Sequence, residues 1–92
     1  MTRDDVFISV QDIFRDKIEK KDLIIKDGLT ANDLEGWDSL NHIGIISATE
    51  KEFSIKFALG ELAALKDIGS LIDMIIEKIK SAWLLKLLNV VR

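Results

Sequence analysis

The residues best placed to do chemistry are Gly36-Trp37-Asp38-Ser39-Leu40. The apolar periodicity beyond them predicts a helix over residues 39–53, which puts Ser39 in its first turn. The backbone N–H groups of a first turn have no intrahelical acceptor, and the helix dipole is positive there, so an anion attached at that point is favoured. A serine hydroxyl in this position is a good anchor for a phosphodiester. Asp38 can cap the helix or hold a cation needed by a modifying enzyme. An Asp-Ser pair at a helix start is also an ordinary capping pair, and the five residues alone leave both readings open. His42 lies one turn after Ser39 on the same helix side, where it serves as a recognition residue, a charge switch near neutral pH or a plain exposed polar residue.

The elements that must hold this stretch can be read from spacing. Val6, Val10, Ile13, Phe14 and Ile18 recur at three- and four-residue intervals and predict a first helix over residues 4–19, capped by Asp4 or Asp5. Residues 20–38 form a long connection carrying Leu23, Ile24, Ile25, Leu29, Leu34 and Trp37, so the loop is expected to lie across the core. A helical turn capped by Thr30 is expected at residues 30–34. In the second helix, Leu40, Ile43, Ile46 and Phe53 form the expected apolar stripe, widened by Ile45 and Ala48. Gly44 within it either admits a close neighbour or is a tolerated weak point. A short helix over residues 58–65 carries Leu59, Leu62, Ala63 and Leu65. Asp67 then caps a last helix whose buried face is Ile68, Leu71, Ile72, Ile75, Ile76 and Ile79. The expected fold is all-α: a bundle of three main helices and one short one, with a long first loop and an extended C-terminal helix.

Composition narrows the chemistry. The 92 residues suit one domain, and cysteine is absent, which excludes disulfides, zinc-thiolate sites and a cysteine nucleophile. A single histidine cannot build a multi-histidine metal site, and no metal site is expected. The net charge of −3 speaks against nucleic acid as a partner. No secretory signal or membrane-spanning run is visible, and a cytoplasmic protein is the expectation.

The run from Gly36 to Ile79 resembles an acyl carrier protein of the phosphopantetheine-binding family. The resemblance rests on Asp38-Ser39-Leu40, then Ile43 and Ile46, Glu50-Lys51-Glu52-Phe53, Ile55 and Phe57. It continues through Leu65-Lys66-Asp67-Ile68-Gly69-Ser70-Leu71 and Ile75. With the first helix and the apolar loop it covers nearly the whole chain apart from the last dozen residues. It implies that Ser39, with Asp38 as the adjacent motif acid, receives 4′-phosphopantetheine from coenzyme A through a magnesium-dependent phosphopantetheinyl transferase. The terminal thiol of that arm then carries acyl groups as thioesters, which accounts for a chain without cysteine. The protein itself would catalyse nothing and would present its cargo to acyl-transferring or acyl-modifying enzymes. Leu40, Asn41, His42, Ile43, Ser47 and Glu50 are the implied recognition residues. Ile43, Ile46, Phe53, Ile55, Leu62, Ile68 and Ile72 are candidates for an acyl pocket.

The departures from the common fatty-acid-synthesis carrier are Trp37 before the Asp-Ser pair and a second helix with few acids, where Asn41, His42, Gly44 and Ser47 stand. They point to a specialised carrier of a lipid, polyketide or surface-polysaccharide type pathway. An aminoacyl or peptidyl carrier is the alternative, ranked lower because Leu34-Glu35-Gly36-Trp37-Asp38 lacks a Gly-Gly approach to the serine. A non-carrier helical interaction module is the other.

Carriers of this family usually stop near Lys80, so residues 1–80 are expected to form the carrier domain and residues 81–92 an apolar, basic extension of the last helix. Residues 80–92 hold three bases and no acid. The extension can fold back on the bundle, bind a partner helix or a second copy, lie on an anionic membrane surface, or stay disordered in the free protein.

Overall fold

Thr2 starts the first helix, in place of the Asp4 or Asp5 expected from the sequence. Its hydroxyl accepts a hydrogen bond from the Asp5 amide (3.2 Å) while the Asp5 carboxylate accepts one from the Thr2 amide (2.9 Å), a reciprocal capping box. Asp5 is therefore the third helical residue and not the cap. The computed structural model describes the backbone of residues 2–91 and the side chains of residues 2–88. Its helices are α1 (Arg3–Ile18), α2 (Ser39–Phe53), α3 (Leu59–Ala63) and α4 (Ile68–Val91), and no strand occurs among the described residues. The all-α bundle with a long first loop is the expected architecture, and α4 runs on through residues 80–91 as one helix.

The core is built from the buried face of α1 (Val6, Val10, Phe14), Ile45 and Ile46 of α2, and Ile68, Leu71, Ile72 and Ile75 of α4. The loop closes it. Ile25, Leu34 and Trp37 are buried, and Leu23 and Leu29 pack against the core from its edge. Ile24 is the exception, pointing to solvent. Side chains of α1 fasten this connection: Arg15 Nε donates to the Leu23 carbonyl (2.7 Å), and Gln11 Oε1 accepts from the Ile25 amide (3.1 Å). The amides of Ile68 and Gly69 donate to the carbonyls of Leu29 and Asp27, so the first turn of α4 is satisfied by loop backbone. A Cβ on Gly69 would come within 3.0 Å of the Asp27 oxygen, which is why the closest-packed residue here is glycine.

Two local readings change. Residues 31–33 make a turn and not a helix, and the capping is reversed: the Asp33 carboxylate accepts from both the amide and the hydroxyl of Thr30. In α2 the apolar stripe is displaced. Leu40 and Ile43 are 79% and 69% exposed, whereas Ile45, Ile46 and Thr49 are buried. Thr49 can occupy a core position because its hydroxyl donates to the Ile45 carbonyl one turn back (2.7 Å). Asp67 caps α4 as expected: its Oδ1 accepts from both the amide and the hydroxyl of Ser70 at 2.8 Å.

Candidate functional site

Gly36 turns the chain into α2. Its φ of +97° is in the left-handed region, and a Cβ there would lie 2.8 Å from Cγ2 of Ile18, the last residue of α1. Trp37 then drops into the core, its ring edge-on to Phe14 with centroids 5.0 Å apart. Asp38 is the N-cap: Oδ1 accepts from the Asn41 amide (2.8 Å), and its carbonyl accepts from the His42 amide (2.8 Å). Asn41 Nδ2 reaches back to the Gly36 carbonyl (2.6 Å) and ties the first turn to the loop that feeds it. These bonds fix Ser39 as the first helical residue, exposed to solvent, with its own amide and that of Leu40 lacking any intrahelical carbonyl.

Trp37 has a second task. Its Nε1–H donates to His42 Nδ1 (3.0 Å), and the two rings lie 6.0 Å apart at 34°. With Nδ1 accepting, a neutral imidazole carries its proton on Nε2. Burial also lowers the His42 pKa from its ordinary value. The sequence draws attention to Trp37 and His42 separately. Their pairing across the cap is not legible there, because a five-residue separation is not a helical contact spacing.

An open depression of about 620 Å³ lies beside Ser39, bordered by Ala31, Trp37, Asp38, Ser39, His42, Ile43, Leu65 and Lys66. His42 and Ile43 also border a smaller hollow of about 220 Å³, with Ile46, Ser47, Glu50 and Leu62. Among the described residues, Lys66 is the lysine or arginine at the rim of the first depression, and its residue type and spacing do not mark it as a site residue.

The remaining candidates divide by burial. Leu40 and Ile43 project into solvent, and Ser47 is exposed. Glu50 is half-buried, and its carboxylate accepts from the Phe57 amide (2.8 Å), so it holds the linker that leads to α3. Of the acyl-pocket candidates, Ile43, Ile46 and Leu62 border the smaller hollow. Ile55, Ile68 and Ile72 are buried in the core, and Phe53 packs against it from the side. Leu59 of α3 is 86% exposed, and its place in a short helix gives no sign of that in the sequence. Among the described residues, no group of three or more His, Asp or Glu side chains comes together that could hold a metal ion.

Comparison with known proteins agrees with this arrangement. No protein-family profile and no curated protein matches the chain. Among solved structures, the solution NMR structure of the holo acyl carrier protein from Geobacter metallireducens superimposes with a TM-score of 0.79 and 35% sequence identity. The match covers 85% of this chain and 90% of that one. With that identity over most of both chains, and with the four-helix order and the capped α2, the chain belongs to the acyl carrier proteins, which carry acyl groups and are not themselves enzymes.

Proposed function

We propose that Ser39 is the attachment point of a 4′-phosphopantetheine arm, and that the chain carries acyl thioesters for a specialised lipid, polyketide or surface-polysaccharide type pathway. The observation that carries this reading is the exposed Ser39 hydroxyl on the first turn of α2, at the rim of an apolar depression. The residues there fit the group. The Lys66 ammonium and the first-turn amides suit a phosphodiester, and Trp37, Ile43 and Leu65 offer apolar surface to the remainder of the arm. When attached, the arm supplies a thiol that holds the acyl group as a thioester.

The chain's own residues do the rest. Asp38, Asn41 and Gly36 hold the serine in register, and Trp37 with His42 makes the wall beside it. The mainly apolar surface suits an acyl chain better than a charged aminoacyl group, which supports the acyl reading over the aminoacyl one. Leu40 and Ile43 of α2 offer exposed apolar side chains beside Ser39 to a transferase and to acyl-transferring or acyl-modifying enzymes. Ser47 lies on the solvent side of α2, whereas Asn41, His42 and Glu50 act chiefly by holding the local frame. In this reading residues 1–80 are the carrier domain and residues 81–92 an appended segment with its own role.

The test is intact-protein mass spectrometry after incubation with coenzyme A, magnesium and a broad-specificity phosphopantetheinyl transferase. Wild type is expected to gain one phosphopantetheine, and Ser39→Ala none. Modification of the Ser39→Ala protein would overturn the site assignment.

A further inference from the structure

The buried stripe of α4 comprises Ile68, Leu71, Ile72 and Ile75. Eighteen residues make five full turns at about 3.6 residues per turn, so Lys86 sits on the same line of the helix as Ile68. The core stripe therefore ends in a lysine. Trp83, Leu84, Leu87 and Leu88 form a different stripe, rotated from the core face by roughly 130° at about 100° per residue. These four and Leu85 are between 42% and 63% exposed, and all of residues 81–88 face solvent. Folding back onto the bundle is thus not what this surface does. Its apolar area, on the order of 500 Å², is at the upper end of what a lone soluble domain leaves uncovered.

Charge indicates what covers it. Glu77 is the last acid in the chain, and the fifteen residues after it hold Lys78, Lys80, Lys86 and Arg92. Lys78 is paired with Glu61. Lys80 heads the apolar stripe, one turn before Trp83 and Leu84, and Lys86 lies on the core-side line roughly 130° away from it. Tail-to-tail pairing of two copies would set like charges against each other, with no acid in the segment to answer them. A surface with an apolar interior and a layer of negative headgroups answers both features at once. No described helix is long and apolar enough to cross a membrane, so the segment would lie in the headgroup region.

We infer that residues 80–91 form an interfacial helix that binds an anionic phospholipid bilayer. Leu65 and Lys66, at the rim of the Ser39 depression, stand just before Asp67, the cap of α4. Trp83 comes fifteen residues after Ile68, about 22 Å farther along the helix axis. The lipid-binding segment and Ser39 therefore occupy opposite ends of the long helix, and the surface beside Ser39 stays free. The acidic remainder of the chain opposes an anionic surface, so binding is reversible and strongly salt-dependent.

The experiment is vesicle co-sedimentation of the full chain. Phosphatidylcholine vesicles are compared with vesicles containing a quarter phosphatidylglycerol, at low and high salt, and brominated lipids read the depth of Trp83. Binding to the anionic vesicles is expected, about tenfold or more weaker on neutral vesicles and weakened again by salt. The double variant Leu84→Glu with Leu88→Glu alters only exposed positions and is expected to keep the wild-type circular dichroism while losing tenfold or more in binding. Ser39→Ala is expected to bind like wild type, which separates this inference from the carrier assignment. Bromine quenching that survives Trp83→Phe, equal binding to both vesicle types, or no vesicle binding would overturn it. So would a dimer in sedimentation equilibrium that the double variant abolishes while vesicle binding persists, since the face would then belong to a second copy.

Discussion

Replacing Gly36 by alanine is the sharpest probe of how the serine is held. The position has a φ of +97°, and the added Cβ would sit 2.8 Å from Ile18 Cγ2. The backbone term costs about 1–2 kcal/mol. Forcing a methyl against a side chain that already packs on the core costs about 1–3 kcal/mol more. The expected loss is therefore about 2–5 kcal/mol, a large part of the ~5–15 kcal/mol that stabilises a domain. For a chain of this size that lowers the melting temperature by roughly 10 °C or more. Gly44→Ala is the matched control. It lies inside α2, and its Cβ would meet only Lys17 Cδ, at an ordinary 3.6 Å. Helix propensity then predicts a gain of about 1 kcal/mol, so Gly44 is a tolerated weak point and not a close-approach site. Urea unfolding followed by far-UV circular dichroism measures both. A Gly36→Ala protein within about 0.5 kcal/mol of wild type, the size of an ordinary surface substitution, would refute the strain argument. A destabilised Gly44→Ala protein would show that something else approaches that face.

The same geometry sets three further outcomes. Trp37→Phe removes the bond to His42 Nδ1 and is expected to cost about 1 kcal/mol, with the histidine ring resonances shifting in NMR spectra while the core resonances around Phe14 hold. Burial lowers the folded-state pKa of His42 below the unfolded value, so folding releases a proton there. Stability is full above the ordinary imidazole value and falls as the pH drops from it through the folded-state pKa; unfolding curves at a series of pH values should show that slope in wild type and lose it in His42→Gln. Asp67→Ala frays the start of α4, read as faster amide exchange at Ser70, the residue whose hydrogen bonds hold the Asp67 carboxyl below the usual carboxylate range.

Much of the fold is legible in the sequence because α1, α2 and α4 each bury residues at helical spacing and because Asp38 and Asp67 are strong caps. The greasy loop is legible for a simpler reason: Ile25, Leu34 and Trp37 are too apolar to leave in water. The face of α2 is not. Leu40, Ile43, Ile45 and Ile46 make two overlapping stripes, and periodicity alone cannot say which one meets the bundle. Thr49 decides it physically by satisfying its hydroxyl within the helix, and nothing in residue type announces that. The cap of α1 escapes a reading by residue type because Thr2 precedes two acids that are themselves good caps. Of the candidate site, Ser39 and Asp38 are readable from the helix start, but the Trp37–His42 bond depends on how the loop enters α2, and the position of Lys66 on how the segment before α4 packs beside it.

The two stripes of α2 divide its labour. Ile45 and Ile46 face the bundle and hold the helix in place, while Leu40 and Ile43 flank the serine and remain uncovered. A carrier must release each enzyme before it meets the next, so its docking face has to be small enough to leave water-exposed between encounters. In the proposed carrier role, the exposed Leu40 and Ile43 meet that requirement without acids of their own. Contact through such a face depends on shape and apolar burial more than on charge, and it discriminates against partners that dock by opposite charge alone. The basic, apolar end of α4 follows the other rule, setting exposed apolar side chains beside positive charge. The two proposals together predict different salt responses: raising ionic strength is expected to weaken the hold of the C-terminal helix on an anionic surface while leaving enzyme contact beside Ser39 largely unaffected.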